Sequence, residues 1–443
     1  MSFDKRIFNK ALQICALRVP VKRCSEFMKT LRSSLLNYPR QRNIVSDPLE
    51  ATPAPVPSDG EQADATKLLL LSDKISSPAE LPPVHARFVR DAGVSQTTFE
   101  LKLDYSYFSA EEVLKRLLPA DVEVPASFET IGHVAHLNLR DAHEPFKRII
   151  GEVILDKNRG IRTVVNKVGT IATEFRTFEM ELLAGDDDMD VEVKESKATF
   201  RFNFAEVYWN SRLQQEHGRM VNALKPSDVV CDMFCGIGPF AVPAGKRGCT
   251  VYANDLNPRS YHYLVSNVRS NKVAGKVHCF NQDARHFVAQ LIREGKTFNQ
   301  VFMNLPADAI EFLDVFRGRF DEWDKRGVAL PHIHCYCFSA KQNPKEDVIE
   351  RVEATLGAPL DRSTTTVRQV RDVAPKKLML CVSFQLPREA ALGASGGGAE
   401  GRAGAGAGDR GNKREREEAI GDADTCGDSA EADCPSAKRN AAK

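Results

Sequence analysis

The sequence predicts an α/β protein whose largest domain is a doubly wound parallel sheet with antiparallel last strands, preceded by two smaller α/β (α+β) domains. Two observations carry this. The apolar runs VVCDM, TVYAND, VHCFNQD and QVFMNLP are each followed by a helical stretch, the alternation that builds parallel sheets. Beyond them TTTVRQVRDV and KLMLCVSFQL, separated only by Ala374-Pro375-Lys376, read as neighbouring strands of an antiparallel pair.

Taken in order, residues 1–95 are expected to form a basic N-terminal domain: the first 50 residues hold ten Lys and Arg against four Asp and Glu. MSFDKRIFNKALQICALRVPVKR fits a folded basic segment, and its shortage of acid also leaves a mitochondrial presequence open, against which Asp4 weighs. Pro48 to Thr66 has the Pro, Ala and acid content of a flexible insertion. Residues 96–190 read as a small α/β domain: SAEEVLKRLL opens with a capping box, and GHVAHLNL, RTVVNKV and TFEMELLAG pattern as strands before the acidic turn GDDDMD. The doubly wound domain follows over 191–388. From Arg388 the chain becomes Gly/Ala-rich and charged, and 389–443 is expected to be a disordered tail.

The 61 basic and 60 acidic residues leave a formal charge of +1, which argues neither for nor against a nucleic-acid partner. No run of about 18 apolar residues is present, so no membrane-spanning helix is expected. Eleven cysteines without a CxxC pair suggest reduced, intracellular thiols. HIHCYC, residues 332–337, is read as a core strand and not a metal cluster, because alternation sends neighbours to opposite faces. No metal is expected.

The turn DMFCGIGPFA, residues 232–241, matches G-x-G-x-x-A and so fits a dinucleotide site as well as other nucleoside cofactors. Gly236 and Gly238 let the backbone bend and approach a ligand. The surroundings choose between cofactors. Asp232, before the turn, suits an amine and not a pyrophosphate; Asp255, nineteen residues beyond Gly236, can accept both ribose hydroxyls. Asp283 ends the next strand, placed either for an adenine amino group or as a helix N-cap. Asn304, before Leu305-Pro306, offers a donor and an acceptor at the edge where open sheets bind ligands. With the antiparallel last strands, these favour a methyltransferase using S-adenosyl-L-methionine over an NAD dehydrogenase.

FRTFE (175–179), VYWNSRLQQEHGRMV (207–221), DMFCGIGPFAVPAGKRG, YANDLNPRSYHYLVSNVRSNKV and NLPADAIEFLDVF closely resemble the archaeal and eukaryotic tRNA (guanine-N1)-methyltransferases that modify position 37. ALRVP and KLLLLSD extend the resemblance to most of residues 1–388. It implies a Rossmann-like class I methyltransferase domain, S-adenosyl-L-methionine as cofactor and tRNA with guanosine at position 37 as substrate. It also implies Glu216 as general base on the N1 proton and Arg176 against O6. Asn304 would orient Glu216 or the base edge, and Tyr208 would position the turn at Pro306. His217, Asp255, Leu256, Asp283, Ala284 and Asn304 would contact the cofactor, although His217 also fits a packed core position.

From pattern alone, Ser211-Arg212-Leu213-Gln214 predicts a helix starting at Ser211, with an i,i+4 Arg212–Glu216 surface pair as the plain reading. A general base at Glu216 would have its pKa raised by burial, balanced by Arg212 or another cation. The basic stretch FKRIIGEVILDKNRGIR is expected to hold RNA backbone or to be a solvated face. The rival function is the sister enzyme that moves the aminocarboxypropyl group of the same cofactor onto a tRNA wyosine precursor; a non-catalytic tRNA-binding protein is another. Arg176, Tyr208, Glu216 and Asn304-Leu305-Pro306 favour methyl transfer, and Ala307 lacks the aromatic ring that an amino-group methyltransferase would want there. A monomer suffices for these parts. Cytoplasm and nucleus are the expected compartments, with the mitochondrial matrix open.

Overall fold

The computed structural model describes residues 3–48, 65–125, 127–168 and 179–392. The chain divides into two compact units between Val124 and Pro125. In the first, the strand Lys10–Pro20 is the spine of a four-stranded antiparallel sheet, flanked by Thr66–Leu70 and Ser95–Leu103, with Ile44–Ser46 beyond Thr66–Leu70. Alternation sends Cys15, Leu17 and Val19 to one core with Phe27 and Leu31, and Ile14 and Ala16 to another with Leu68 and Leu70. Burial on both faces explains the unbroken apolar run KLLLL. The boundary expected at residue 95 falls inside this sheet, because Ser95–Leu103 pairs residue for residue with Lys10–Arg18. Helix Ala110–Leu117 also belongs to this unit, and its capping box forms: Ser109 Oγ accepts from Glu112 N (3.2 Å) while Glu112 Oε2 accepts from Ser109 N (2.7 Å).

The second unit opens with a four-stranded sheet, Glu129–Ile131, Val134–Leu137, Thr163–Val168 and Glu179–Gly185 in that order. Helix Lys147–Lys157 buries Ile150, Val153 and Ile154. Much of the charge in its basic stretch is paired within the protein: Lys147 with Glu144 and Glu181, Arg148 with the Leu182 carbonyl, Arg162 with Asp188. A hairpin, Asp190–Glu195 with Ala198–Asn203, leads into the large sheet.

That sheet has seven strands in the order Val277–Phe280, Thr250–Asn254, Val229–Asp232, Gln300–Met303, His332–Ser339, Lys377–Gln385, Thr366–Ala374. The first five are parallel; the last two run antiparallel, as their short connection predicts. Strand order reverses between Val229–Asp232 and Gln300–Met303, so a crevice is expected outside their carboxyl ends. Phe240, Phe302 and Tyr336 pack on one face of the sheet, Met233, Val301 and Cys335 on the other.

Cys231, Cys235, Cys335, Cys337 and Cys381 are free thiols buried in or beside this sheet. HIHCYC lies in the buried strand His332–Ser339, and among the described residues no group of three His, Cys, Asp or Glu could hold a metal ion. No described helix is long and apolar enough to cross a membrane. Order extends past the expected start of the tail: Arg388–Ala391 is helical, Ala391 is fully buried, and its carbonyl accepts from Arg319 N (3.0 Å). Apolar Ala390 and Ala391 are buried in the cluster that holds Val301 and Cys335 before the Gly-rich stretch begins.

Candidate active site

The strand Val229–Asp232 runs into the glycine turn and helix Ala241–Arg247. The two glycines have different reasons. Gly238 has φ +101°, and a Cβ there would lie 2.9 Å from Leu264 Cδ1 and 3.0 Å from Val242 Cγ2, so its bareness serves packing. Gly236 has φ +53°, a left-handed conformation that favours glycine, and a Cβ would meet nothing within 4 Å, so the space beside it is open.

Carboxylates end the neighbouring strands. Asp255 follows Thr250–Asn254; its Oδ2 accepts from Gly236 N (2.8 Å) and its Oδ1 from Asn257 N (2.9 Å), pinning the turn to the second strand. Burial pushes its pKa up to about 6, against the pull of the two amides. Leu256 beside it is a half-exposed apolar side chain. Asp283 N-caps helix Ala284–Arg293, its Oδ1 accepting from Arg285 N (2.9 Å) and His286 N (3.2 Å). The capping alternative is therefore formed, and Oδ2 keeps its acceptor capacity. Ala284 is buried at the helix start.

Asp232 has no exposure at all, and neither oxygen makes a well-formed hydrogen bond. Burial, then the nearby Asp255, pushes its pKa well above the carboxylate range, the Phe234 amide giving only partial relief. Among the described residues, five more buried side-chain atoms lack partners: Asn304 Oδ1 at the end of the adjacent strand, His217 Nε2, and, apart from these, His136 Nδ1, Trp209 Nε1 and Trp323 Nε1. Nδ1 of His217 pairs with Glu195 Oε1 (2.6 Å), and its ring stands edge-on to Phe240 at 4.7 Å. The acceptor on Nδ1 places a proton on that nitrogen, and in the neutral ring Nε2 is then an acceptor. Buried orphans of this kind are rare in native proteins. Those of Asp232, Asn304 and His217, with the open side of Gly236, fit a ligand bearing an ammonium, hydroxyls and an amino-substituted ring, which is the chemistry of S-adenosyl-L-methionine.

Glu216 lies on helix Gln214–Ala223, with 6% of its surface exposed. The expected Arg212–Glu216 pair is not made. Ser211–Leu213 is a 3-10 turn capped by the Asn210 side chain, so Arg212 precedes the α-helix and i,i+4 spacing does not apply. Arg212 pairs instead with Glu129 (2.5 Å). Glu216 is gripped by Arg219 through Nε–Oε2 (2.8 Å) and Nη2–Oε1 (2.6 Å), receives the Tyr336 hydroxyl on Oε1 (3.0 Å), and has Arg368 Nε 3.5 Å from Oε2. Burial raises its pKa, but the Arg219 hydrogen bonds and charge, Tyr336 and Arg368 outweigh that, so the net shift is downward, opposite to expectation. The carboxylate is ionised at neutral pH.

Asn304 follows Gln300–Met303, and the Pro306 carbonyl accepts from Phe338 N (3.1 Å), tying the Asn-Leu-Pro turn to the Tyr336 strand. Tyr208 is half-exposed, and its hydroxyl accepts from Asn210 Nδ2 (3.3 Å), a bond to its own loop and not to the Pro306 turn. Arg176 lies outside the described residues. Sequence reasoning missed Arg219, Tyr336 and Arg368. Only Arg219 carried a local signal, the i,i+3 spacing from Glu216 on one helix.

A doubly wound sheet with an antiparallel closing pair, a glycine turn at its switch point and carboxylates ending successive strands defines a Rossmann-like methyltransferase. A family model described as the TRM5/TYW2 methyltransferase domain matches residues 191–358, and one described as the TYW2 N-terminal domain matches 110–188. The chain belongs to the tRNA (guanine(37)-N(1))-methyltransferase family. It is 53% identical over 392 residues to the member from Phytophthora infestans, covering 88% of this chain and 93% of that one. The Homo sapiens member is 40% identical, covering 87% and 75%. In fold it is similar to a solved complex of aTrm5 and tRNALeu (TM-score 0.63, 22% identity, 84% of this chain and 99% of that one). It is also similar to Trm5b from Pyrococcus abyssi (TM-score 0.58, 22% identity, 84% and 98%).

Proposed function

We propose that this chain methylates N1 of guanosine 37 in tRNA, with S-adenosyl-L-methionine as donor. The observation that carries the reading is a buried, ionised Glu216 together with the poorly satisfied buried side chains of Asp232, Asn304 and His217, in a chain whose relatives bear that activity in their names. S-adenosyl-L-methionine supplies a methyl group on a positively charged sulfur. Asp232 is assigned to its amino group, Asp255 to the ribose hydroxyls, the free oxygen of Asp283 to the adenine amino group, and Leu256 and Ala284 to the ring. His217 Nε2 and Asn304 accept the remaining donors at the turn.

N1 of guanine carries a proton, so the lone pair must be freed before it can be methylated. Glu216 takes that proton as general base, and Arg176 offers planar donors to the charge that develops on O6. A base in an anticodon loop is unpaired, which keeps its extrusion into the site to a few kcal/mol. The test is methyl-labelled cofactor with an unmodified tRNA transcript bearing G37, followed by nucleoside analysis by mass. Label on guanine N1 supports the reading; no label, or label elsewhere, sinks it. Glu216→Gln is expected to slow single-turnover methyl transfer by about 10²–10⁴-fold while sparing cofactor binding. A wild-type rate in that variant removes Glu216 as the base.

A further inference from the structure

A carboxylate offers about four acceptor positions, two on each oxygen. On Glu216, Oε1 has both in use, by Arg219 Nη2 at 2.6 Å and the Tyr336 hydroxyl at 3.0 Å. Oε2 has one in use, by Arg219 Nε at 2.8 Å. Against the fourth stands Arg368 Nε at 3.5 Å, an ion pair too long for a strong hydrogen bond. The three close donors are fixed: Arg219 shares the helix of Glu216, and Tyr336 is 1% exposed in a central strand. Arg368 is different. It sits on the edge strand Thr366–Ala374 with 58% of its side chain in solvent, so it can leave at little packing cost.

A proton coming from a base needs an unfilled lone pair, and the only loosely held one is on Oε2. Building on the reading of Glu216 as the base, we propose that Arg368 is a displaceable positioning residue: it covers the fourth acceptor position of Glu216 in the RNA-free protein and yields it to the N1–H of the entering guanine. The other groups facing Glu216 are Arg219 from its own helix, Tyr336 from the strand His332–Ser339 and Cys381 from Lys377–Gln385. Burial raises the Tyr336 phenol well above its ordinary value and the Cys381 thiol to about 11, so both are neutral at working pH. Of these groups the two arginines alone carry charge. Loss of Arg368 from the pair removes one of the two cations that hold the carboxylate acidic, at the moment when basicity is needed.

Arg368→Gln and Arg368→Lys distinguish this from a structural role. Single-turnover methyl transfer is measured across the acid range, at limiting and at saturating protein, because the first profile reports groups in the free protein and the second those in the complex. Arg368→Gln is expected to move the acid limb of the limiting profile up by about one pH unit and to leave the saturating profile in place. Arg368→Lys is expected to keep the wild-type profiles. A general weakening of RNA binding would lower the limiting rate alone, without moving either midpoint. Equal shifts in both profiles mean that Arg368 stays on Glu216 through the reaction, and no shift in either means that it does not matter to it; both results overturn the inference.

A second arm needs no substrate. A carboxylate with a lowered folded-state pKa stabilises the protein above its unfolded pKa, and that stability is lost as pH falls through the folded value. Arg368→Gln is therefore expected to reduce the stability lost on acidification, and to do nothing in a Glu216→Gln background. Absence of that coupling overturns the inference whatever the activity. Absence of methyl transfer by the wild type instead marks failure of the functional reading itself.

Discussion

Asp255 shows how one residue serves both the fold and the ligand. Its carboxylate is pinned by the amides of Gly236 and Asn257, and burial pushes its pKa up to about 6. If ribose hydroxyls donate to it, the ionised form binds the cofactor and the protonated form does not. Cofactor affinity followed by calorimetry is then expected to fall by about tenfold between pH 7 and pH 5. In Asp255→Ala the step centred near pH 6 should vanish; a step that survives would assign it to another group. Without ligand the sign is reversed. A folded-state pKa above the unfolded one means that ionisation costs stability, so this group weakens the apo protein as pH rises from about 4 through 6. Residue identity at such positions was legible because acids at the ends of strands are spaced by the sheet. The partners of Glu216 were not: Tyr336 is 120 residues away along the chain, and nothing local joins them.

The glycine turn and the helix before it mark the limits of legibility at the level of elements. Strands were readable from alternation and from their distance to the next glycine, and the antiparallel closing pair from the short Ala374-Pro375-Lys376 connection, where Lys376 takes φ +63°. The helix carrying Glu216 was readable in place but not in register, because a 3-10 start shifts which residues share a face and the pattern S-x-x-Q does not distinguish it from an α-helical start. The glycines were readable as a turn, but their separate reasons required the packing. Gly238→Ala is expected to cost about 2–4 kcal/mol of stability, read by denaturant unfolding, since strain and a clash with Leu264 and Val242 add. Gly236→Ala should cost about 1 kcal/mol in the same measurement, yet weaken cofactor binding by about tenfold or more. Equal stability losses, or unchanged cofactor affinity in Gly236→Ala, would contradict that division of labour.

The described residues hold two units, the first built on one sheet and the second on three, each with hydrophobic clusters of its own. The doubly wound sheet was legible because its repeating strand–helix pattern extends over more than a hundred residues. The first boundary was not, because Ser95–Leu103 returns to pair with Lys10–Arg18 across a gap that composition marks as a break. The buried free thiols give these units a consequence of another kind. Cys15 lies in the core of the first unit; Cys231, Cys235, Cys335, Cys337 and Cys381 lie in or beside the large sheet of the second, where burial keeps them protonated and out of reach. Each is therefore a native clock. Under a membrane-permeant maleimide, alkylation resolved peptide by peptide should run at the rate at which each core opens, so the chain reports the separate lifetimes of its two folded bodies without any introduced label.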